Sequence, residues 1–213
     1  MSVQSVPDAV SVLQGEYLTD NQIGRSASEI LNYVPNASAV TGGDSHGRPR
    51  WWIRGVGTGQ QQIDFSNPVG FYYDEVYIGN ASATGFPLFD LDRVEVLRGP
   101  QGTLWGKNTT GGAINVISRK PEFTGLDGYA RFDDGTYNDR IYEAAAGGTI
   151  WQDHLAVRAA FHYEDRGARF YDTYTNQPEG QFQDGALRLQ ILYKITPDLE
   201  LLSNVHFRHY SSQ

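Results

Sequence analysis

The stretch from Gly99 to Gly112 reads GPQGTLWGKNTTGG, five glycines and one lysine between two apolar runs. Backbone N–H groups of such a loop can cradle phosphate, and a lysine can neutralise it. The spacing does not fit. A phosphate-binding loop needs four residues between its glycines and a Ser or Thr after its lysine. Gly102 and Gly106 have three residues between them, and Asn108 follows Lys107, so the hydroxyl that would hold Mg²⁺ is missing. A second cluster, Gly55, Gly57 and Gly59, lacks the dinucleotide spacing and leads into no helical pattern. Gly99, Gly102, Gly106, Gly111 and Gly112 are therefore expected to serve backbone geometry, and Lys107 to point to solvent or a carboxylate.

The other chemistry-bearing residues form no reaction centre. His206 and His209 are three apart, which on a strand places them on opposite faces. His154 and His162 share a face of the expected strand but stand ~26 Å apart along it. Asp133-Asp134 and Glu164-Asp165 sit at strand ends. No nucleophile has a base in a matching position, so the reading is no enzyme, no resident metal and no cofactor. A formal charge of −8 excludes a general nucleic-acid binder, which needs a clustered basic face. The chain has no cysteine and hence no disulfide framework.

The elements that must carry these residues change in kind near residue 121. Before it the pattern is mixed. Val10 to Leu13 is a short apolar strand. Ser26 to Val34 predicts a helix, with Ser26 as cap, Glu29 three residues on as in a capping box, and Pro35 after the end. RWWIRGVGTG, residues 50–59, predicts a strand running into a glycine loop. VGFYYDEVYIG, residues 69–79, predicts two strands about a turn at Asp74-Glu75. Leu88 to Leu91 suggests a helical turn. RVEVLRG and GAINVISR are strands flanking the glycine stretch.

From Leu126 the chain alternates over long runs. Leu155, Val157, Ala159, Phe161 and Tyr163 point one way, and His154, Arg158, His162 and Glu164 the other. Leu187, Leu189, Ile191 and Tyr193 alternate with Arg188, Gln190 and Lys194. Leu199, Leu201, Val205 and Phe207 alternate with Glu200, Asn204, His206 and Arg208. With segments near 126–134 and 139–149 this makes about five strands of ~9–11 residues, the length that crosses a bilayer when tilted. IWQD and TPD read as tight turns, and DRGARFYDTYTNQPEGQFQD as one long polar loop. Short turns on one side and long loops on the other belong to outer-membrane barrels. A soluble meander with one wet face is the alternative.

DLDRVEVLRGPQGTLWGKNTTGGAINVISRKP resembles the end of the plug domain of TonB-dependent outer-membrane receptors. RWWIRGVGTG resembles that family's central strand, and VGFYYDEVYIG its VGVYVDGVY segment, with Glu75 where glycine is usual. SVPDAVSVLQGEYL and SASEILNYVPN resemble its opening strand and helix, so the likeness spans residues 3–121 in the family's order. The resemblance implies an α+β plug domain over residues 1–121, followed over 122–213 by antiparallel strands of an incomplete transmembrane β-barrel. The family's barrel has about 22 strands, so the chain reads as an N-terminal portion, with no signal peptide or convincing TonB box in view.

Function follows from the same resemblance. It implies TonB-dependent active uptake of a scarce small ligand, most often a ferric siderophore, at the bacterial cell outer membrane. The implied partners are the TonB energy-transducing protein, the ligand and outer-membrane lipid, with no nucleic acid. A plug used as a signalling or protein-binding module is the alternative. By resemblance Arg54 and Arg98 are the two plug arginines that pair with glutamates of the barrel wall, expected beyond residue 213. Glu95 is expected to join Arg98 in that network. Ligand contact is expected from apical loops at residues 42–48, 60–67 and 80–84, with Gln61, Gln62, Asp64 and Ser82 as candidates.

Overall fold

The computed structural model describes residues 9–21, 23, 26–40, 49–59 and 66–212. The chain divides into two compact units, Met1–Arg119 and Lys120–Gln213.

The first unit is α+β. Its elements are β1 (Val10–Gln14), α1 (Gly15–Asp20), α2 (Ala27–Leu31), β2 (Ala37–Val40), β3 (Arg50–Ile53), β4 (Val56–Gly57), β5 (Val69–Tyr73), β6 (Val76–Tyr77), β7 (Leu91–Arg98), α3 (Gly102–Trp105) and β8 (Gly112–Ser118). One sheet runs β1-β7-β8-β5-β6 and a smaller one β2-β3-β4. β7 and β8, the runs that flank the glycine stretch, pair antiparallel, whereas β5 and β8 pair parallel. β5 and β8 are buried at every residue, as their continuous apolar runs require. Ile30, Leu31, Ile53, Val94, Val96, Ile114 and Val116 form the centre of the core. Trp51 stacks on Phe71 with ring centroids 5.3 Å apart, tying the small sheet to the large one.

The hairpin β5–β6 turns at Asp74 and Glu75, both at positive φ (49° and 68°), the geometry of a two-residue hairpin turn. Asp74 also earns its place through its carboxylate, which accepts from the Ser118 N–H at 2.8 Å and from the Ser118 hydroxyl. Two expectations are corrected. α2 is a five-residue helix whose cap position, Ser26, makes no side-chain capping bond, so the capping box does not form. Leu88 to Leu91 is not helical: Leu88 and Phe89 are buried on irregular backbone, Asp90 takes φ +50°, and Leu91 already begins β7. The helical turn of that region comes earlier, as a 3₁₀ turn over Ala81–Gly85.

The second unit is a meander. β9 (Asp127–Gly135), β10 (Asp139–Trp151), β11 (Leu155–Arg166), β14 (Phe182–Thr196) and β15 (Leu199–Ser212) form one antiparallel sheet in chain order. Between β11 and β14 the long loop carries its own hairpin, β12 (Phe170–Asp172) and β13 (Gln177–Glu179). No helix among the described residues is long and apolar enough to cross a membrane; these strands are 9, 13, 12, 15 and 14 residues long. Their alternation is inverted relative to a soluble protein. Phe161, Leu187, Leu189, Val205 and Phe207 are exposed, whereas Arg158, His162, Glu164, Asp184, Arg188 and Gln190 are buried. Water would not stabilise that arrangement, but lipid on the apolar face would. Among the described residues the sheet is open, with β9 and β15 each paired on one side only.

Candidate functional site

The plug unit brings Arg54 and Arg98 to one corner. β3 ends in a two-residue turn to β4, with Ile53 opposite Val56. Arg54 and Gly55 occupy the turn at φ +52° and +79°. An arginine there costs about 1 kcal/mol relative to glycine. The Arg54 N–H donates to the Asn36 carbonyl at 2.8 Å, which holds the turn against the chain after α2. Gly57 permits the tight return, because a Cβ there would stand 2.4 Å from the Trp51 carbonyl oxygen.

Arg98 ends β7. Its Nη1 donates to the Pro35 carbonyl at 3.4 Å, next to the carbonyl that receives Arg54. Gly99 follows at φ +118°, and Arg54 Nη1 lies 3.2 Å from where a Cβ of residue 99 would be. The missing side chain is thus the seat of the Arg54 guanidinium. Arg54 is exposed and Arg98 half-buried. Among the described residues neither forms a salt bridge, and the buried Nε of Arg98 has no hydrogen-bond partner. A buried donor left unmade costs ~1–3 kcal/mol, and of the corner's two guanidinium groups that of Arg98 meets a backbone carbonyl, that of Pro35.

Glu95 does not join Arg98. Residues three apart on a strand face opposite ways, and Glu95 accepts instead from Arg93 Nε at 2.7 Å and from Asn115 at 3.4 Å. Partial burial weakens the charged form of Arg93, but its bonds to Glu95 and Asp92 outweigh this and hold its pKa above the usual value.

The glycine stretch has no cradle. Its amides turn inward to backbone: Gly99 N–H to Gly111 O, Gln101 N–H to Thr109 O, and Gly111 N–H to Pro68 O. Gly99, Gly106 and Gly112 have positive φ. At Gly112 a Cβ would stand 2.3 Å from the Leu97 carbonyl oxygen, and at Gly111 it would press on Val56. Gly102 has neither constraint, being helical with nothing within 4 Å of a Cβ. Lys107 is exposed.

Of the ligand-contact candidates, Gln61, Gln62 and Asp64 lie outside the described residues, as does the side chain of Ser82 in the 3₁₀ turn. The histidine expectations divide. His206 and His209 do face opposite ways, one half-buried and one exposed. His154 is not on the β11 face. It sits in the preceding turn, stacked on Trp151 at 4.6 Å.

The meander carries a network of charged side chains, of which the sequence pattern assigns a face only to His162 and Arg208. Arg131 meets Asp133 at 2.6 Å and Glu143 at 3.8 Å; Glu143 meets His162 Nδ1 at 2.9 Å. Arg208 grips Asp184 through two nitrogens, at 2.8 and 2.7 Å. Cross-strand register was the missing signal, since Glu143 lies directly opposite His162.

Fold and site together define a class: an α+β plug domain followed by the wall strands of a transmembrane β-barrel. The family model of the TonB-dependent Receptor Plug Domain matches residues 2–113. The chain belongs to this family of TonB-dependent receptors. It is 28% identical over 207 residues to the ferrichrome outer membrane transporter/phage receptor of Escherichia coli K12, covering 83% of this chain and 26% of that protein. The crystal structure of the ferric yersiniabactin uptake receptor of Yersinia pestis superposes with a TM-score of 0.83 at 21% identity, over 94% of this chain and 31% of that one. The ferripyoverdine receptor of the Pseudomonas aeruginosa outer membrane gives 0.79 at 18% identity, over 99% and 26%. The chain thus spans about a quarter of the ferrichrome transporter and a similar share of these structures.

Proposed function

We propose that the chain supplies the plug and first wall strands of an outer-membrane receptor that takes up a ferric siderophore by TonB-dependent active transport. The observation that carries this is the joining, in one chain, of the matched plug domain to strands with a lipid-type exposed face. Relatives named for ferrichrome, ferric yersiniabactin and ferripyoverdine support the ligand class. The ligand binds at the outer side, tension from TonB on the N-terminal segment loosens the plug, and the ligand passes. The protein itself hydrolyses nothing; the inner-membrane proton gradient drives the cycle.

In this reading Arg54 and Arg98 anchor the plug by pairing with carboxylates of the complete barrel's wall. Their lack of a carboxylate within the described residues supports it. Glu95, bound to Arg93, serves the plug sheet instead. Gln61, Gln62, Asp64 and Ser82 remain the ligand-contact candidates.

Uptake of ⁵⁵Fe carried by ferrichrome, ferrioxamine B and a catecholate siderophore tests the reading. A strain lacking the gene loses uptake of one of these, the restored gene recovers it, and a TonB-deficient strain does not respond. Unchanged uptake of all three on deletion, in a strain shown to need no second receptor, would count against a siderophore ligand.

A further inference from the structure

The long loop leaves the meander between β11 and β14, and at its base lies a cavity of about 510 Å³. That volume is in the range of small-molecule sites, ~300–1,000 Å³. Its walls come from the turn before β10, the end of β11, the start of β14 and the end of β15. These walls are tied together. The Gly167 N–H donates to the Tyr137 carbonyl at 2.9 Å, and a Cβ on residue 167 would stand 2.7 Å from that oxygen. The Arg166 guanidinium lies over the Phe182 ring, 4.1 Å from its centroid, which joins β11 to β14. The cavity is therefore formed before any ligand arrives.

Register places four lining residues in one cross-strand row. Arg140 is opposite Asp165, Asp165 opposite Gln183, and Gln183 opposite Ser211. Alternation puts this row on the face of the exposed apolar side chains, with Tyr142, Phe161, Leu187 and Phe207. The next row toward the short turns is aromatic: Phe132, Tyr142 and Tyr163, with successive ring centroids 5.0 and 6.3 Å apart. Below it follow Phe161, Leu187 and Phe207. Aromatic rings gather where lipid chains give way to headgroups. Two residues of strand span ~7 Å, so the row from Arg140 to Ser211 stands at headgroup depth. It lies at the long-loop end of the strands, which is the outer side of such barrels. A further strand beside β15 would pair with its backbone in the plane of the sheet and leave this face of Ser211 open.

The lining selects a ligand. An apolar molecule would strip water from Gln183 and Ser211, both exposed, without replacing its hydrogen bonds. A bare anion would meet Asp165, and a bare cation Arg140 and Arg166. Guanidinium, carboxylate and amide groups are planar and can each bond two neighbouring hydroxyls, and every hydroxyl both donates and accepts. A polyhydroxylated ring matches a lining that combines all three with the hydroxyls of Ser211 and Ser212. Arg140 at present meets Asp134 at 3.2 Å, but both groups are exposed, and such a pair is weak enough to yield.

We propose that this cavity binds a saccharide of an outer-leaflet glycolipid. The row from Arg140 to Ser211 holds the sugar, and the aromatic and aliphatic rows below it carry the acyl chains. The inference rests on the lipid-facing reading of these strands and is independent of which ligand is transported.

Hydrogen exchange of the complete receptor in phosphatidylethanolamine nanodiscs tests it, with two probes. One is rough lipopolysaccharide incorporated in the nanodisc; the other is the lipid-free core oligosaccharide released from it. Lipopolysaccharide is expected to slow the amides of residues 138–140, 165–167 and 181–183 by about tenfold. The free oligosaccharide is expected to protect the same amides with affinity at least about tenfold weaker, because it lacks the acyl contacts. Gln183→Leu/Ser211→Val should lose the protection and keep ⁵⁵Fe uptake, whereas Leu189→Ala, on the same face nearer the short turns, should keep both. No protection of wild type by either probe, or protection by lipopolysaccharide that survives Gln183→Leu/Ser211→Val, would overturn the site. Equal affinity for the free oligosaccharide would overturn the lipid assignment. Loss of uptake by the double variant at equal expression would place the cavity on the transport route and overturn the proposal as well. The exchange measurements on wild type need no iron carrier, so a failure of the siderophore reading leaves them standing.

Discussion

Arg98 and the glycine after it show how much one backbone conformation decides. A half-buried guanidinium whose Nε has no partner is costly unless a carboxylate arrives, and removing one partner of such a pair costs ~3–5 kcal/mol. Arg98→Ala in the complete receptor is expected to leave a wall carboxylate unpaired and to raise sensitivity to vancomycin, read as inhibitory concentration at matched expression. Gly99→Ala is expected to act on the same corner by pushing Arg54 from its seat 3.2 Å away and by straining φ +118°, at ~1–2 kcal/mol. Gly102→Ala, in open space on a helix, should instead be neutral or stabilise by up to ~1 kcal/mol. Thermal unfolding of the three variants would rank them, and equal losses at Gly99 and Gly102 would show that the glycines are not distinguished by backbone geometry. Lys107 belongs to this scale too. The inward-turned amides leave it nothing to complete, so calorimetric titration with ATP and Mg²⁺ should show no saturable heat. Micromolar binding lost in Lys107→Ala would reverse that conclusion.

At the scale of elements, legibility followed the length of the pattern. β7, β8 and the β5–β6 hairpin were readable because apolar runs bounded by turn residues specify strands. Residues 155–163 gave the facing of β11 correctly, since a period of two leaves no ambiguity. The failures were short-range. The pattern of residues 50–59 suggests a glycine loop at Arg54-Gly55, although a dipeptide ending in glycine between Ile53 and Val56 also suits a hairpin turn. Proximity in sequence suggests Glu95 as a partner of Arg98, but residues three apart on a strand face opposite ways. The hairpin β12–β13 was invisible because three-residue strands have no period to detect. Its turn is made by a side chain: Asp172 accepts from the Tyr174 N–H at 2.8 Å and from the Thr175 hydroxyl at 2.7 Å. The Thr175 bond first, then that of Tyr174, holds the Asp172 carboxyl below the usual carboxylate range. A depressed pKa means that the turn's stabilisation is present above the ordinary value of ~3.9 and fades as the pH falls through the folded-state value below it. Exchange of the Tyr174 amide should therefore stay protected from neutral pH to about 4 and accelerate beyond its intrinsic trend only below that. Asp172→Asn should remove the pH dependence. A protection loss centred near pH 6 would show that another group controls the turn.

For the whole chain the decisive quantity is closure. A barrel satisfies every strand's backbone groups only by joining its first strand to its last. Among the described residues β9 and β15 are each paired on one side, and the 14-residue β15 carries exposed Val205 and Phe207 along its bare edge. Five strands are fewer than the eight that give the smallest barrel able to fill its interior with side chains, and their buried face carries bulky charged groups such as Arg158, Arg188 and Glu164. Bringing β9 to β15 would crowd these together without room for water or counter-charges. The 213-residue chain by itself is therefore expected to form no pore. Its long edges favour pairing with further strands, from the rest of a receptor or from other copies. Reconstitution into planar bilayers should give no steps or only irregular ones, and cross-linking in detergent should yield a ladder of oligomers. Stable conductance steps of one size from the isolated chain would mean that these strands close on themselves, and would remove the ground for treating them as part of a larger wall.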